Sequence, residues 1–225
     1  MSEVSNSKLV LASVSPRRAQ ILSEAKFSLE PAPADIDEDA VLTSALDDGL
    51  PSAVEALALA KAVAIADFRA GEYVLGADTI VVCDDELLGK PATRDEAVAM
   101  LRRLNDRSHE VITGVAVVNP AGETHTKHVS TTVKFRRLDE AKISEYVSSG
   151  SPFDKAGGYG IQDESFAPVA SYDECYLNVV GLPMCATSEL LEQSGFVLAN
   201  ALKCVGHGAG SSKLPTANDP ESRSL

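Results

Sequence analysis

The chain has 225 residues, of which 44% are hydrophobic and 24% charged, so it can bury a substantial core and has the composition of a globular protein. Its 20 lysines and arginines stand against 33 aspartates and glutamates, and the formal net charge of −13 excludes nonspecific nucleic-acid binding through overall basicity. The sequence has no apolar run of ~20 residues, no secretory signal and no zinc-ligand spacing among its four cysteines, so we expect a cytoplasmic protein without a membrane span.

The first predicted elements are a short buried strand at residues 9–12 and a helix that begins at Pro16, with Ser15 as its N-cap. Arg17 and Arg18 then lie in the first helical turn, where the helix dipole is already positive. A strand that leads into a helix N-terminus is a natural anion site, and guanidinium groups bind phosphate through two hydrogen bonds. We therefore predict that both arginines are poorly compensated in the empty protein and bind phosphate. On this stretch alone, a solvated basic face explains them equally well.

The next segments alternate between helical and strand patterns. Residues 29–41 are rich in proline and acidic residues, which predicts a loop or an edge strand. The alanine-rich residues 51–70 predict a helix, and the nearly continuous apolar run at 73–82 predicts a strand that is buried on both faces.

Two charged residues lie within these apolar segments. Asp78 interrupts the predicted buried strand, where a carboxylate is costly unless it is paired or binds a metal. This favours a functional role over the capping of a turn. Lys61 is the only cation within residues 52–66, and it either reaches a phosphate or extends along apolar surface.

The second half of the chain continues the α/β pattern up to a polar tail. In order, it predicts a turn and short strand within 83–92, a helix from a Thr93 cap to about 105, a long hairpin over 109–138 and a helix at 139–147. An irregular glycine-rich segment at 149–163 follows, then a strand at 176–182 and a helix from 183 to about 195. The last predicted segment is a disordered tail at 203–225. Lys90 and Lys155 lie beside glycines in loops, where the backbone can approach a ligand closely.

Five stretches, LASVSPRR, GADTIVV with GKP, ITGVAVV, KAGGYGIQ and NVVGLP, resemble in sequence and order the Maf family of nucleotide pyrophosphatases over residues 8–196. The resemblance implies an α/β fold with a long curved mixed sheet, flanked by helices, and a central cleft between two lobes, similar to the inosine triphosphate pyrophosphatases. Together with the polar tail from residue 203, it predicts a single domain at residues 1–202. It also implies hydrolysis of nucleoside triphosphates to a monophosphate and pyrophosphate with a divalent metal, Mg²⁺ or Mn²⁺, and assembly as a homodimer.

The family's functional residues carry over by motif. Asp78 of GADT is then the catalytic carboxylate, either as a base toward water or as a metal ligand. Glu38 joins Asp78 at the metal, with Asp37 as the alternative because this stretch is matched least sharply. The residues that hold the triphosphate are then Ser13, Arg17, Arg18, Lys61, Lys90 and Lys155.

Three positions bear on the choice of substrate. Arg17, Thr79 and Gln162 match the branch of the family that prefers dTTP and UTP, whereas a second branch that acts on 7-methyl-GTP has other residues there. Residues 163–183 lack the glycine-rich continuation and the GSY that precede VVGLP in the pyrimidine branch, so modified pyrimidines and CTP-like bases stay open. Two alternatives therefore remain: a 7-methyl-GTP pyrophosphatase, and a nucleotide-binding regulator of cell division with incidental turnover.

Overall fold

The computed structural model describes residues 8–198, so the predicted tail at 203–225 lies outside the described residues. Within this part of the chain, one mixed seven-stranded sheet is flanked by helices, which confirms the predicted fold class. The strands are β1 (Leu9–Leu11), β2 (Leu29–Pro31), β3 (Tyr73–Cys83), β4 (Glu86–Leu88), β5 (Ser108–Val118), β6 (Thr124–Phe135) and β7 (Val169–Tyr172). The helices are α1 (Pro16–Glu24), α2 (Glu38–Ala45), α3 (Leu50–Ala66), α4 (Arg94–Leu104), α5 (Glu140–Ser148), α6 (Tyr176–Val180) and α7 (Met184–Gln193).

Unequal strand lengths open a gap in the sheet. The strand order is β2-β1-β3-β5-β6-β7, with β1 parallel to β2 and β3 and the remaining pairs antiparallel. On one edge of β3, the short β1 pairs only as far as Leu75 and β4 pairs only from Val81 onward. Within residues 8–198, no strand therefore pairs with the intervening part of this edge, which contains Asp78 and Thr79. The other edge of β3 is held along its length by β5.

Helix α3 packs against one face of the sheet at unusually short range. A Cβ on Gly76 would lie 2.1 Å from the Ala58 carbonyl oxygen, and a Cβ on Gly114 would lie 2.4 Å from that of Val54. Only glycine permits this approach of helix to strand. Because side chains alternate along β3, Asp78 shares the face of Gly76 and points toward α3, which carries Lys61.

The opposite face of the sheet carries the larger hydrophobic core. Helices α1, α4, α5 and α7 contribute Leu22, Leu101, Ile143 and Leu191 to it, and all four side chains are fully buried. None of the helices within residues 8–198 is long and apolar enough to cross a membrane.

One prediction of local structure was wrong, and another was right only in part. Residues 176–182 were expected as a strand, but Tyr176–Val180 form the helix α6, which Gly181 caps with φ 118°. The buried Asn178 side chain donates to the Val111 carbonyl at 2.9 Å and to Thr131 Oγ1 at 3.0 Å, so tertiary hydrogen bonds outweigh the intrinsic preference. In residues 29–41, the edge strand β2 is present, but the segment from Glu38 onward is helical because Asp37 caps it, accepting a hydrogen bond from Ala40 N–H at 3.0 Å.

Candidate active site

A cleft of about 310 Å³ lies at the gap beside β3. One side is formed by the loop from β1 to α1 with α2 and α3, and the other by residues 154–162 and 179–181. All ten residues selected from the sequence line it, namely Ser13, Arg17, Arg18, Glu38, Lys61, Asp78, Thr79, Lys90, Lys155 and Gln162. Five of its lining residues are lysines or arginines and three are aspartates or glutamates. The cleft thus carries a formal excess of two positive charges in a chain of net charge −13.

The centre of the cleft is a lysine shared by two carboxylates. Lys61 is only 7% exposed, and its Nζ lies 2.6 Å from Asp78 Oδ1 and 2.9 Å from Glu38 Oε2. This pairing explains how a carboxylate is tolerated within an apolar strand, because the buried charge has a close counterion. Within residues 8–198, Asp78 Oδ2 receives no hydrogen bond from the protein, so this oxygen remains available to a ligand.

The start of α1 forms a second cluster of polar groups. Ser15 caps the helix, accepting from Arg18 N–H at 3.5 Å, and Ser13 Oγ accepts from Ser15 N–H at 3.2 Å. Arg18 is 9% exposed, and its guanidinium donates to the Gly181 carbonyl at 2.8 Å, Thr79 Oγ1 at 3.1 Å and Ser13 Oγ at 3.2 Å. Burial lowers the pKa of Arg18, against the nearby charge of Asp78, which raises it. Arg18 is therefore a buried cation that is hydrogen-bonded to neutral oxygens.

Arg17 is compensated in a way that the sequence did not reveal. Its Nη1 lies 2.5 Å from Asp154 Oδ2, and the other oxygen of the same carboxylate lies 2.5 Å from Lys155 Nζ. Partial burial alone would raise the pKa of Asp154, but hydrogen bonds from Lys155 and Arg17 outweigh it and leave the pKa below its ordinary value. The prediction that both arginines are poorly compensated is thus wrong for Arg17. The only signal for Asp154 was its position beside Lys155, because it is 137 residues away from Arg17.

The remaining predicted residues differ in their contacts. Thr79 accepts from Arg18 and forms a hydrogen bond with Thr113 Oγ1 at 2.9 Å. Lys90 and Gln162 are exposed at the mouth of the cleft, where a ligand can reach them.

Comparison with known proteins identifies the family of the chain. The family model described as Maf-like protein matches residues 8–194. The chain belongs to the Maf family. It is 47% identical over 189 residues to the dTTP/UTP pyrophosphatase of Symbiobacterium thermophilum, covering 84% of this chain and 95% of that protein. It is 42% identical over 189 residues to the dTTP/UTP pyrophosphatase of Geobacillus sp., covering 84% of this chain and 99% of that protein.

Solved structures show a more distant similarity to this Maf chain. The structure of the Staphylococcus aureus Ham1 protein has a TM-score of 0.43 and 15% sequence identity, covering 72% of this chain and 79% of that chain. A Ham1 protein from Coxiella burnetii has a TM-score of 0.44 and 18% identity, covering 72% and 91%. Membership in the Maf family therefore depends on the sequence comparisons.

The donor set of the Maf cleft fits a divalent cation. Magnesium in nucleotide-binding sites takes one or two carboxylates and completes its coordination with substrate phosphates and water. Asp78 and Glu38 present carboxylate oxygens to one common cation, the Lys61 ammonium, so they are close enough to act together. Asp37, the alternative ligand, uses its Oδ1 to cap α2. Within residues 8–198, no group of three or more acidic, histidine or cysteine residues could hold a metal without the substrate.

Proposed function

We propose that this Maf protein hydrolyses dTTP and UTP between the α and β phosphates, releasing the nucleoside monophosphate and pyrophosphate. The observation that carries the proposal is the basic cleft, in which five cations and the Asp78 carboxylate line one cavity in a chain of negative net charge. A triphosphate carries about four negative charges and is repelled by the net negative charge of the protein. It therefore needs cations close to its binding site. The names of the relatives at 42–47% identity support the choice of substrate.

In this proposal the cations bind and orient the triphosphate. Arg17 and Lys155 approach from opposite sides of the cleft, because Asp154 already brings both to a single anion. Arg18 and Ser13 supply donors at the start of α1, where the helix dipole also favours an anion. Lys90 is exposed at the mouth and free to follow the phosphate chain. Fixed cations of this kind also stabilise the charge that develops on the departing pyrophosphate.

Asp78 carries the chemical step. A water molecule attacks the α phosphorus, a new phosphorus–oxygen bond forms, and the α–β anhydride bond breaks with its electron pair leaving on pyrophosphate. The water proton passes to Asp78, whose Oδ1 is fixed by Lys61 at 2.6 Å. A divalent cation held by Asp78 and Glu38 supplies charge neutralisation at the phosphates when it is bound.

Base selection falls to residues at the edge of the cleft. Gln162 has both an amide donor and a carbonyl acceptor, which complement the imide edge of thymine or uracil. Its exposure leaves both groups accessible to a base. Arg17 and Thr79 contribute to the same preference in the pyrimidine branch that the chain resembles.

The proposal extends to the state of the protein in the cell. We propose a homodimer that acts in the cytoplasm, with one catalytic domain at residues 1–202 and a separate tail at 203–225. The family match that ends at residue 194 supports the domain boundary. Light scattering of the purified chain, with and without residues 203–225, measures the mass of the assembly and the contribution of the tail.

A substrate panel tests the proposal. Purified protein with Mg²⁺ or Mn²⁺ is given dTTP, UTP, CTP or 7-methyl-GTP, and kcat/KM is compared. We expect dTTP and UTP to be turned over best. Preference for 7-methyl-GTP would assign the chain to the other branch. Tight nucleotide binding without product would instead identify a regulator.

A further inference from the structure

A buried threonine outside the cleft is hydrogen-bonded to one of the cleft residues. Thr113 lies on β5, is 0% exposed and is absent from the cleft lining. It is the register partner of Thr79 across the antiparallel β3–β5 pair, and the two hydroxyl oxygens are 2.9 Å apart. Thr113 Oγ1 also lies 3.0 Å from the backbone carbonyl of Asn178 in α6.

Arg18, Thr79, Thr113 and the Asn178 carbonyl form a hydrogen-bond relay. The proton positions in this relay follow from the chemistry of the groups at its two ends. The Arg18 guanidinium only donates, so Thr79 Oγ1 is the acceptor of that bond. The Asn178 carbonyl only accepts, so the Thr113 hydroxyl proton is directed to it. Thr113 therefore accepts from the Thr79 hydroxyl. The relay runs in one direction, from Arg18 to Thr79, from Thr79 to Thr113, and from Thr113 to α6.

The direction of the relay determines which part of the Thr79 hydroxyl, its proton or its lone pairs, faces the Arg18 guanidinium. If Thr113 offered no acceptor, the Thr79 hydroxyl proton would have no fixed partner, and Thr79 would lose the hydrogen bond that holds its oxygen in place beside Arg18. With Thr113 in place, the Thr79 oxygen presents a lone pair to Arg18. The relay also occupies the only hydroxyl proton of Thr79, so Thr79 has no proton to donate to a bound base.

The far end of the relay is anchored in the sheet. The Asn178 side chain is 0% exposed and donates to the Val111 carbonyl and to Thr131 Oγ1. The next turn of the chain ends at Gly181, whose carbonyl is the closest acceptor of Arg18. Helix α6 thus sets two of the contacts of Arg18, one directly and one through the two threonines.

We propose that Thr113 is a positioning residue for catalysis and that it acts through Thr79 on the orientation of Arg18. On this account Thr79 affects turnover by holding Arg18, and it can contact a bound base only as an acceptor. The kinetic part of this inference rests on the proposed function, whereas the orientation of Arg18 is independent of it.

The kinetic test replaces the hydroxyl of Thr113 by a methyl group. Thr113→Val is expected to lower kcat/KM for dTTP by about tenfold, the scale of one hydrogen bond, and Thr113→Ser is expected to restore it. In a Thr79→Val background, Thr113→Val should cause no further loss. Thr187→Val is the matched control, since Thr187 on α7 is also 0% exposed and donates to one carbonyl, that of Pro183 just before the helix. A loss in Thr187→Val equal to that in Thr113→Val, or additive losses at 79 and 113, would overturn the proposal.

The structural test follows the Arg18 side chain directly by NMR. In the wild type and in Thr113→Ser, the Arg18 Nε–H resonance is expected to be resolved and protected from exchange, whereas in Thr113→Val it should shift and exchange at least several times faster. If Thr113→Val does not fold, Thr113→Ala takes its place. An unchanged Arg18 resonance in the folded variant contradicts the relay even if dTTP is hydrolysed. A wild-type protein that hydrolyses no triphosphate refutes the proposed function, while the NMR result still decides the relay.

Discussion

At the scale of single residues, the site depends on shared counterions. Lys61 serves two carboxylates at once, and Asp154 serves two cations at once. Removal of one member of such a group leaves its partners buried or half-buried with a smaller compensating charge. Substitutions here therefore change the charge that a substrate meets as well as a single contact.

Asp78→Asn preserves the shape of the side chain but removes the proton acceptor. We expect kcat to fall by at least about 100-fold, the lower range for loss of general base catalysis. Steady-state kinetics with dTTP measures the effect. Asp95→Asn, an exposed position on α4, is the matched control and should retain activity. Activity of Asp78→Asn close to that of the wild type would refute the assigned role.

Asp154→Asn tests whether this carboxylate occupies the place of a phosphate. Asp154 is about half exposed, so the free energy of unfolding should change by less than about 1 kcal/mol. Inorganic pyrophosphate should bind more tightly, because Arg17 and Lys155 no longer have an internal anion. Calorimetric titration measures the dissociation constant, and weaker binding in the variant would show that Asp154 instead positions the two cations.

At the scale of elements, the site is assembled by close packing of α3 and by contacts between β5 and the glycine-rich loop. Gly76 and Gly114 let α3 approach the sheet, and this approach brings Lys61 to Asp78. On β5, His109 Nε2 lies 2.7 Å from the Tyr159 hydroxyl, which ties the loop that carries Lys155 and Gln162 to the sheet. Gly76, Gly114 and His109 thus support cleft residues although none of the three lines the cleft.

Gly76→Ala should disturb the site through the helix. The added Cβ would meet the Ala58 carbonyl, so α3 must move away from the sheet. We expect a loss of ~1–3 kcal/mol in the free energy of unfolding, together with a lower kcat. Gly89→Ala is the control, because a Cβ there meets nothing within 4 Å. Equal urea denaturation curves for Gly76→Ala and the wild type would contradict the account of helix packing.

Buried His109 makes a prediction about pH. Burial lowers the pKa of its imidazole to about 4, so the folded protein keeps it neutral in a range where the unfolded chain binds a proton. The contribution of His109 to stability is complete above about pH 6.5 and is lost as the pH falls toward 4, at up to ~1.4 kcal/mol per pH unit. Urea unfolding between these pH values should show a flatter dependence for His109→Gln than for the wild type. Parallel pH dependences for His109→Gln and the wild type would rule out this role of His109.

At the scale of the whole molecule, the net charge of the cleft is opposite in sign to that of the protein. The chain has a net charge of −13, yet its cleft has a positive excess of two. Pyrophosphate at 100 times its dissociation constant should therefore stabilise the folded state by about 2.7 kcal/mol, seen as a rise in melting temperature. A melting temperature that does not respond to saturating pyrophosphate would count against a phosphate site. Salt should weaken this binding, because it screens the same charges.

The sequence predicted the cleft residues more completely than their connections. Motifs such as SVSPRR and GADT identify Arg18 and Asp78 because a charge at a helix start or inside a buried strand is locally unusual. Asp154 and Thr113 carry no such local signal, since each acquires its role from a partner that the fold brings near. Helix α6 was mistaken for a strand for the same reason, because the hydrogen bonds that hold Asn178 come from β5 and β6.

The most direct test of the account is the identity of the products formed from dTTP in ¹⁸O-labelled water. The wild-type protein with Mg²⁺ is incubated with dTTP, and the products are analysed by ³¹P NMR and mass spectrometry. Attack on the α phosphorus predicts dTMP that carries one ¹⁸O atom, together with unlabelled pyrophosphate. Formation of dTDP and orthophosphate, or label in pyrophosphate instead of dTMP, would contradict it.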